Sequence, residues 1–302
     1  EAPAGSIVKA KYPAATAMAT LTPATQEMEA VWKALAQAAP DRTSAGYGSF
    51  QCCPSISGID NRGDEPAEWA AVFFNGASGG GASKNADGWP LTMLSSALGG
   101  LKIGSVEVHE LLYPLMVDYC QIETDSMGQG KTMGGAGIRV GVQPYGAPMH
   151  CYNSGDGASN PAFGVFGGTP GIGGGNYRET FDGGHRDYCS AKGYMQIEEG
   201  QRWVGVSTGG GGFGDPLKRS AQKVCEHVRD EIISFDTARD IYGVVLDPET
   251  FELDHKGTEQ LRAKVTADRG EVPLTVPTKA DAATWLEENM RDGDNHLLDP
   301  IL

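Results

Sequence analysis

Glycine clusters constrain the fold of this chain more than any other feature. The densest run has five glycines in the six positions 209–214, after the strand-like segment 202–207 and before a helical pattern. Glycine loses more backbone entropy on folding than any other residue, so such a run marks a positive φ or a close backbone approach. Further glycine stretches lie at residues 79–81, 134–137 and 167–171. We interpret them either as turns and bulges between twisted strands or as loops that converge to admit a ligand or a partner's backbone.

The composition excludes several classes of protein. Glycine makes up 43 of the 302 residues without a fixed period, which argues against collagen. The formal net charge of −15 argues against nucleic acid or an anionic membrane as the main partner, because phosphate binding needs clustered Lys and Arg. The six cysteines form no C-x-x-C pair, so we expect reduced thiols and no required disulfide.

The residue pattern predicts an α+β fold with an N-terminal helix, a large glycine-rich and mainly antiparallel β middle, and C-terminal helices. Thr22 and Pro23 begin the first helix and Pro40 ends it. Between residues 43 and 207, short apolar or alternating runs separated by glycine predict strands joined by loops. The segment 108–116 fits either a helix or a strand.

The part of the chain after Gly214 returns to helix. Asp215 can cap one helix, and Ser234 can cap a second that Gly243 ends. Charged helices are predicted at 258–268 and 281–290. We therefore divide the chain into a glycine-rich unit over 1–246 and a charged, mainly helical extension over 247–302.

Two apparent nucleotide motifs fail on their context. The run at 209–214 contains G-x-G-x-x-G, but Asp215 would repel a pyrophosphate at the helix N-terminus, and no parallel second strand follows. The segment 125–132 ends in G-K-T like a phosphate-binding loop, but it lacks the first glycine, and the glycines after Thr132 do not favour a helix. We predict no cofactor-binding residue in this chain.

Potential metal ligands and nucleophiles are scattered. The pair His150-Cys151 and the spacing of His185 and Cys189 lack the close spacing of a structural zinc site. Cys52-Cys53 has no nearby histidine, and no G-x-S-x-G motif is present. The sequence therefore predicts no metal ligand and no assembled nucleophile.

Taken in order, the glycine loops resemble those of the hydantoinase B/oxoprolinase family. The resemblance starts at 74–82 with Asp87-Gly88 and continues through the segment 106–115. It includes a D-S-x-G-x-G-[KR] motif at 125–131, followed by glycines at 134–137. The blocks 161–171, 209–219 and 238–245 complete it, so that the ordered set spans nearly the whole chain.

The resemblance implies a cytoplasmic, multi-subunit, ATP-dependent enzyme. Members open cyclic amides such as hydantoins, lactams or 5-oxoproline, and related complexes carboxylate ketones such as acetone or acetophenone. In both, a hydantoinase A-type partner binds ATP with Mg and phosphorylates the substrate. The alternatives left open are a subunit of a cyclic amide hydrolase, a subunit of a ketone carboxylase, and a noncatalytic scaffold of such a complex.

This chain resembles only the C-terminal half of the family's B component. The resemblance implies that a divalent metal, Zn or Mn, belongs to the N-terminal half, which a second chain would supply. Candidate polar groups near the glycine loops are Lys131, Asp125, His185 and Arg219. Lys131 or Arg219 could steady an anionic phosphorylated intermediate or a carboxylate. Alternatively, Asp215 only caps its helix and Arg219 forms a surface ion pair.

Overall fold

The computed structural model describes residues 2–6, 9–14, 16, 22–49, 53–73, 76–93, 95, 103–158, 160–182, 185–189 and 192–270. Over these residues the chain is a mixed α+β protein with two antiparallel sheets, which confirms the predicted fold class. The helices are α1 (Thr22–Leu35), α2 (Val106–Leu112), α3 (Ala221–Arg229), α4 (Phe235–Asp240) and α5 (His255–Arg269). The strands are β1 (Ser55–Asp60), β2 (Ala67–Val72), β3 (Leu115–Ile122), β4 (Ile138–Pro144), β5 (Met149–Ser154), β6 (Gly175–Thr180), β7 (Arg186–Cys189), β8 (Lys192–Ile197) and β9 (Gln201–Val206).

The two sheets pack face to face over one apolar core. The four-stranded sheet has the order β2-β1-β5-β8, and the five-stranded sheet has the order β3-β4-β9-β6-β7. Inward side chains of both sheets meet there, including Ile56, Met149 and Ile197 from the first and Val140 and Trp203 from the second. Alternation along each strand places every second residue in this core. Each sheet therefore has one inner and one outer face.

The helix signals read from the sequence agree with the structure. Ser234 accepts a hydrogen bond from the backbone N–H of Thr237, and Gly243 follows α4 with a φ of +61°. Asp215 accepts from Leu217 N–H at 3.0 Å, although the turn it caps is a short 3₁₀ helix, Pro216–Lys218, before α3. The ambiguous segment 108–116 is the end of α2 followed by the start of β3.

The glycine loops form a bundle of extended backbone segments. Residues 208–213 lie at its centre and make backbone hydrogen bonds to all the surrounding segments. Neighbouring outer segments are also hydrogen-bonded to one another, for example Gly135 N–H to Gly80 O at 2.8 Å and Gly46 N–H to Phe163 O at 2.8 Å. The surrounding segments are 44–48, 78–82, 126–130, 132–137, 162–165 and 168–172. The bundle is thus six segments around one.

The central segment repeats every three residues. The N–H groups of Gly210 and Phe213, three positions apart, both donate to segment 132–137. Between them, Gly211 donates to segment 44–48 and Gly212 to segment 168–172. Three residues per turn without internal hydrogen bonds is the geometry of polyproline II and collagen strands. The N–H and C=O groups of the central segment therefore form their hydrogen bonds with the surrounding segments, in three directions around its axis.

This geometry explains why glycine is required. A Cβ atom on Gly210 would lie 2.0 Å from the carbonyl oxygen of Gly80, and one on Gly79 would lie 1.8 Å from that of Gly135. Contacts this short are excluded, as at the crowded axis of collagen. The interpretation of these loops as turns and bulges is therefore wrong for the bundle. The segments do converge, but they admit one another's backbones in the protein interior.

The bundle is continuous with the sheet and is covered on two sides. Strand β9 leads into the central segment, and β4 follows segment 132–137. One apolar cluster joins Met127 and Met133 to the helices α3 and α4, and another joins Ala82 and Phe213 to Ala36 after α1. The glycine segments therefore lie between a β-sandwich and two helical layers.

Some predictions are not tested by the structure. The helix predicted at 281–290 lies outside the described residues, and the division at residue 246 stays a prediction. Arg262 in α5 donates to the carbonyl oxygens of Tyr242 and Arg219, so α5 packs on the preceding unit. The cysteines described, Cys53, Cys120, Cys151, Cys189 and Cys225, are all free thiols. In the described residues, no helix is long and apolar enough to cross a membrane.

Substitution at the centre of the bundle should prevent stable folding. Gly210→Ala places a methyl group against the Gly80 backbone, where no side-chain movement can relieve it. We expect a loss of more than about 4 kcal/mol in the free energy of unfolding, measured by denaturant titration, or no folded protein. Gly63→Ala is the control, because its Cβ meets nothing closer than 3.8 Å. Equal effects of the two substitutions would contradict the packed bundle.

Candidate functional site

Lys131 and Arg219 lie together beside the end of the central segment. The backbone N–H of Lys131 donates to Gly214 O at 3.1 Å, and its carbonyl accepts from Arg219 Nη1 at 3.2 Å. The Lys131 residue is exposed, and within the part of the chain that the structure describes its ammonium group has no ion pair. A cation on a fixed backbone next to a rigid bundle is suited to binding an anion.

Arg219 is buried, so the expectation of a surface ion pair is wrong. Its side chain is 2% exposed and makes a two-pronged ion pair with Asp87, with both N–O distances 2.8 Å. Burial raises the pKa of the Asp87 carboxyl, but the hydrogen bonds and charge of Arg219, with the N–H of Met133, hold it below the ordinary value. Burial and the adjacent Arg219 charge lower the pKa of His227. At neutral pH this neutral imidazole can accept from Arg219, whose Nη2 lies 3.4 Å from its Nδ1.

Asp125 and His185 have different surroundings. Asp125, at φ +59°, accepts from Ser234 N–H at 2.9 Å and so fixes the connection between α3 and α4. His185 lies in the β6–β7 connection with its side chain 67% exposed, 3.4 Å from the carboxylate of Asp187. In the described residues, His185 makes no contact with the other three predicted residues. The structure thus brings Lys131 and Arg219 together and leaves His185 apart.

Sequence reasoning missed Asp87 as the partner of Arg219. Asp87 stands in a motif that the family resemblance singled out, but 132 positions separate it from Arg219. Only the bundle brings them together, because Gly88 N–H donates to Met133 O and places the Asp87 loop beside Lys131. No local pattern could have paired them.

A second missed group is Glu29 in α1. Its carboxylate accepts from the backbone N–H of Tyr47 at 3.0 Å. Burial raises the pKa of Glu29 to about 8 against the lowering effect of that bond, and the charge of Asp156 raises it further while Lys33 opposes. The carboxyl group is therefore protonated at neutral pH and is able to donate a proton. In the sequence, Glu29 adjoins the apolar stripe of α1 and looks like a solvated residue.

The described residues contain no group of three or more His, Cys, Asp or Glu side chains placed to hold a metal ion. The metal that the family resemblance implies therefore has no ligand set in the described part of this chain.

Known proteins share this sequence and fold. A sequence profile of the hydantoinase B/oxoprolinase family matches residues 1–216, and the chain belongs to that family. It is 34% identical over 266 residues to the caprolactamase subunit beta of Pseudomonas jessenii, covering 86% of this chain and 45% of that protein. It is 25% identical over 203 residues to the acetone carboxylase alpha subunit of Xanthobacter autotrophicus, covering 55% and 26%.

The structure of an ATP-dependent caprolactamase from Pseudomonas jessenii superposes with a TM-score of 0.63 at 30% identity, over 76% of this chain and 40% of that one. The chain thus spans less than half the length of each of these relatives. By their names, two of these relatives are enzyme subunits, and the solved caprolactamase is described as ATP-dependent.

Removing the charge of Asp87 should destabilise the fold strongly. Asp87→Asn keeps the shape but leaves the buried Arg219 guanidinium without a counter-charge, and arginine does not deprotonate in proteins. Because the Asp87 side chain is 34% exposed and water screens part of the charge left on Arg219, we expect a loss of about 2–3 kcal/mol in the free energy of unfolding at pH 7. Because the pKa of Asp87 is lowered, the contribution of the carboxylate is present at neutral pH and is lost as pH falls through that value.

The matched control for Asp87→Asn is Asp240→Asn. Asp240 pairs with Arg239 on the surface, where both side chains are more than half exposed. Such pairs contribute less than about 1 kcal/mol. If Asp87→Asn has as small an effect as Asp240→Asn, the buried pair does not hold the loop as described.

Glu29→Gln should change how stability depends on pH. The pKa of Glu29 is raised on folding, so the stability from its protonated form is fully present below about 4.5 and is lost as pH rises towards about 8. The glutamine side chain stays neutral at every pH, so the variant should gain stability relative to the wild type as pH rises through this range. Denaturant titrations at several pH values measure this, with Glu27→Gln on the exposed part of α1 as control. A constant difference between variant and wild type across this range would contradict the raised pKa.

Proposed function

We propose that this chain is a subunit or segment of an ATP-dependent enzyme complex that hydrolyses cyclic amides of the hydantoin, lactam or 5-oxoproline type. The observation that carries the proposal is the 34% identity to caprolactamase subunit beta over 86% of this chain. The similarity to the solved ATP-dependent caprolactamase supports it. The ordered glycine motifs of the sequence indicate the same family without use of those comparisons.

The proposal places the reaction steps on different polypeptides. A hydantoinase A-type partner binds ATP with Mg and phosphorylates the amide substrate. A chain or segment carrying the N-terminal half of the component holds the divalent metal, Zn or Mn. The present chain receives the phosphorylated species together with that half. We expect the complex to be cytoplasmic.

Lys131 is the residue of this chain that we assign to the phosphorylated intermediate. The residue is exposed, while its backbone is fixed by Gly214 and Arg219. A fixed cation stabilises negative charge on a phosphate or a carboxylate better than a mobile one. Arg219 is committed to Asp87 and acts as a positioning residue for Lys131 and not as an anion ligand.

A ketone carboxylase is the second candidate. The similarity to the acetone carboxylase alpha subunit favours it, at lower identity and coverage than the caprolactamase match. A carboxylase requires bicarbonate, and a cyclic amide hydrolase does not. A noncatalytic scaffold within either complex is the third candidate.

The complex that co-purifies with the tagged chain should release ADP when given a cyclic amide. The assay compares caprolactam, hydantoin and 5-oxoproline with acetone plus bicarbonate. We expect one of the amides to stimulate ADP release and to appear as its ring-opened product without bicarbonate. Stimulation by acetone only, and only with bicarbonate, would replace this proposal with the carboxylase.

Lys131→Ala in the same complex separates a catalytic subunit from a scaffold. Loss of one charge-stabilising donor should lower kcat/KM by about 100-fold or more. Lys218→Ala is the control, because Lys218 is also exposed and follows the central segment closely. If Lys131→Ala stays within about twofold of the wild type, the scaffold is the better account.

A further inference from the structure

We propose that the outer face of the four-stranded sheet docks the part of the family component that lies outside the region matched by this chain. The proposal rests on the proposed function only in its choice of partner. The face consists of the outward residues of β1, β2, β5 and β8, fixed by the strand register. Its central residues are Ser55, Ser57, Ile59, Glu68, Ala70, Val72, His150, Tyr152, Tyr194 and Gln196.

The centre of the outer face lacks the charges that a solvated face carries. Antiparallel sheets that meet water on one side alternate apolar inward and polar outward residues. Here the ten central residues include one carboxylate, Glu68, and neither a Lys nor an Arg. Lys192 lies outside this centre, opposite Ser154 at the start of β8. Tyr194 is 59% exposed, Tyr152 52% and Val72 44%, so the face presents large aromatic and aliphatic groups.

The outer face of the other sheet of the sandwich carries arginine–carboxylate pairs among its tyrosines. There Arg139 pairs with Glu123 at 2.7 Å, and Arg202 lies 3.3 Å from Asp118 and 3.4 Å from Glu179. Both faces belong to one protein of high negative charge. The two faces therefore differ in charge although they share one overall composition.

The outer face has the shape of a binding surface. Two adjoining shallow depressions of about 580 and 670 Å³ share Ser57, Ala70 and His150. Tyr152 and Tyr194 line the first of them. Small residues thus form a floor next to an aromatic wall, which lets another surface approach closely.

The aromatic wall is held in place before any partner binds. His150 Nδ1 lies 2.5 Å from the hydroxyl of Tyr194, and their rings are stacked with centroids 5.8 Å apart. A fixed side chain loses less entropy on association than a mobile one. Enrichment in tyrosine and depletion of charge characterise the core of protein interfaces.

The chemistry of the face selects an uncharged polypeptide surface as the partner. A charged partner would be left unpaired on burial, which is costly. The chain matches only 45% of the caprolactamase beta subunit, so more than half of such a component lies outside the matched region. That remainder is the occupant to which we commit. A second copy of the chain and its own residues 271–302 are the competing occupants.

Photo-cross-linking in the co-purified complex tests this assignment. The chain carries p-benzoylphenylalanine in place of Tyr152, and cross-linked peptides are identified by mass spectrometry after irradiation. We expect peptides from a polypeptide that aligns with the part of the caprolactamase beta subunit outside the present match. The same label at Tyr12, which is 95% exposed, is the control and should give no such peptide.

Tyr152→Glu should then release the partner. A charge in this face should lower the recovered partner by about tenfold or more, since central tyrosines are frequent hot spots. Tyr12→Glu should leave recovery within about twofold, and thermal unfolding of the Tyr152→Glu chain should match the wild type. Cross-links to a second copy, to residues 271–302, to an A-type subunit, or to nothing would each overturn the assignment. None of these cross-linking results would change the ADP release measured with a cyclic amide. Failure of the docking proposal can therefore be distinguished from failure of the proposed function.

Discussion

Direct hydrogen bonding between extended glycine backbones is the constraint on which the rest of this structure depends. Buried N–H and C=O groups need partners, and those of the central segment 208–213 find them on six surrounding segments. The segment has three residues per turn, so successive residues face different neighbouring backbones. No space is left for side chains at the middle of the segment. The family match ends at residue 216, just beyond the last of these contacts.

The bundle converts residues that are distant in the sequence into one rigid platform. Strands β3, β4 and β9 of the five-stranded sheet are continuous with bundle segments, so the sandwich and the bundle fix each other's position. The ion pair between the buried Arg219 and Asp87 is one result, and the fixed backbone of Lys131 is another. A rigid support of this kind suits a group that must meet an anion in a defined place.

The two outer sheet faces indicate how the chain relates to a larger assembly. One carries arginine–carboxylate pairs among its tyrosines, and the other carries tyrosines and small residues with one carboxylate at its centre. The chain spans less than half of its relatives, and the described residues lack a metal-ligating cluster. The outer face of the four-stranded sheet is where we place the proposed partner polypeptide.

The sequence by itself determined the fold class, the helix caps and the family. Ser234, Asp215 and Gly243 could be interpreted locally because capping is a contact between residues two to four positions apart. The ordered glycine motifs defined the family even though their structural role was misread. Candidate residues such as Lys131 could be named, but not placed.

Only the tertiary structure decided what the glycines contact and which side chains meet. The bundle is built from hydrogen bonds between residues far apart in the chain, such as Gly46 and Gly211, and no local pattern encodes such pairs. The same holds for Arg219, which changes from a surface residue in prediction to a buried partner of Asp87, and for Glu29, whose pKa depends on Tyr47 and Asp156. Burial and charge pairing are properties of the packed chain, whereas propensity and capping are properties of its segments.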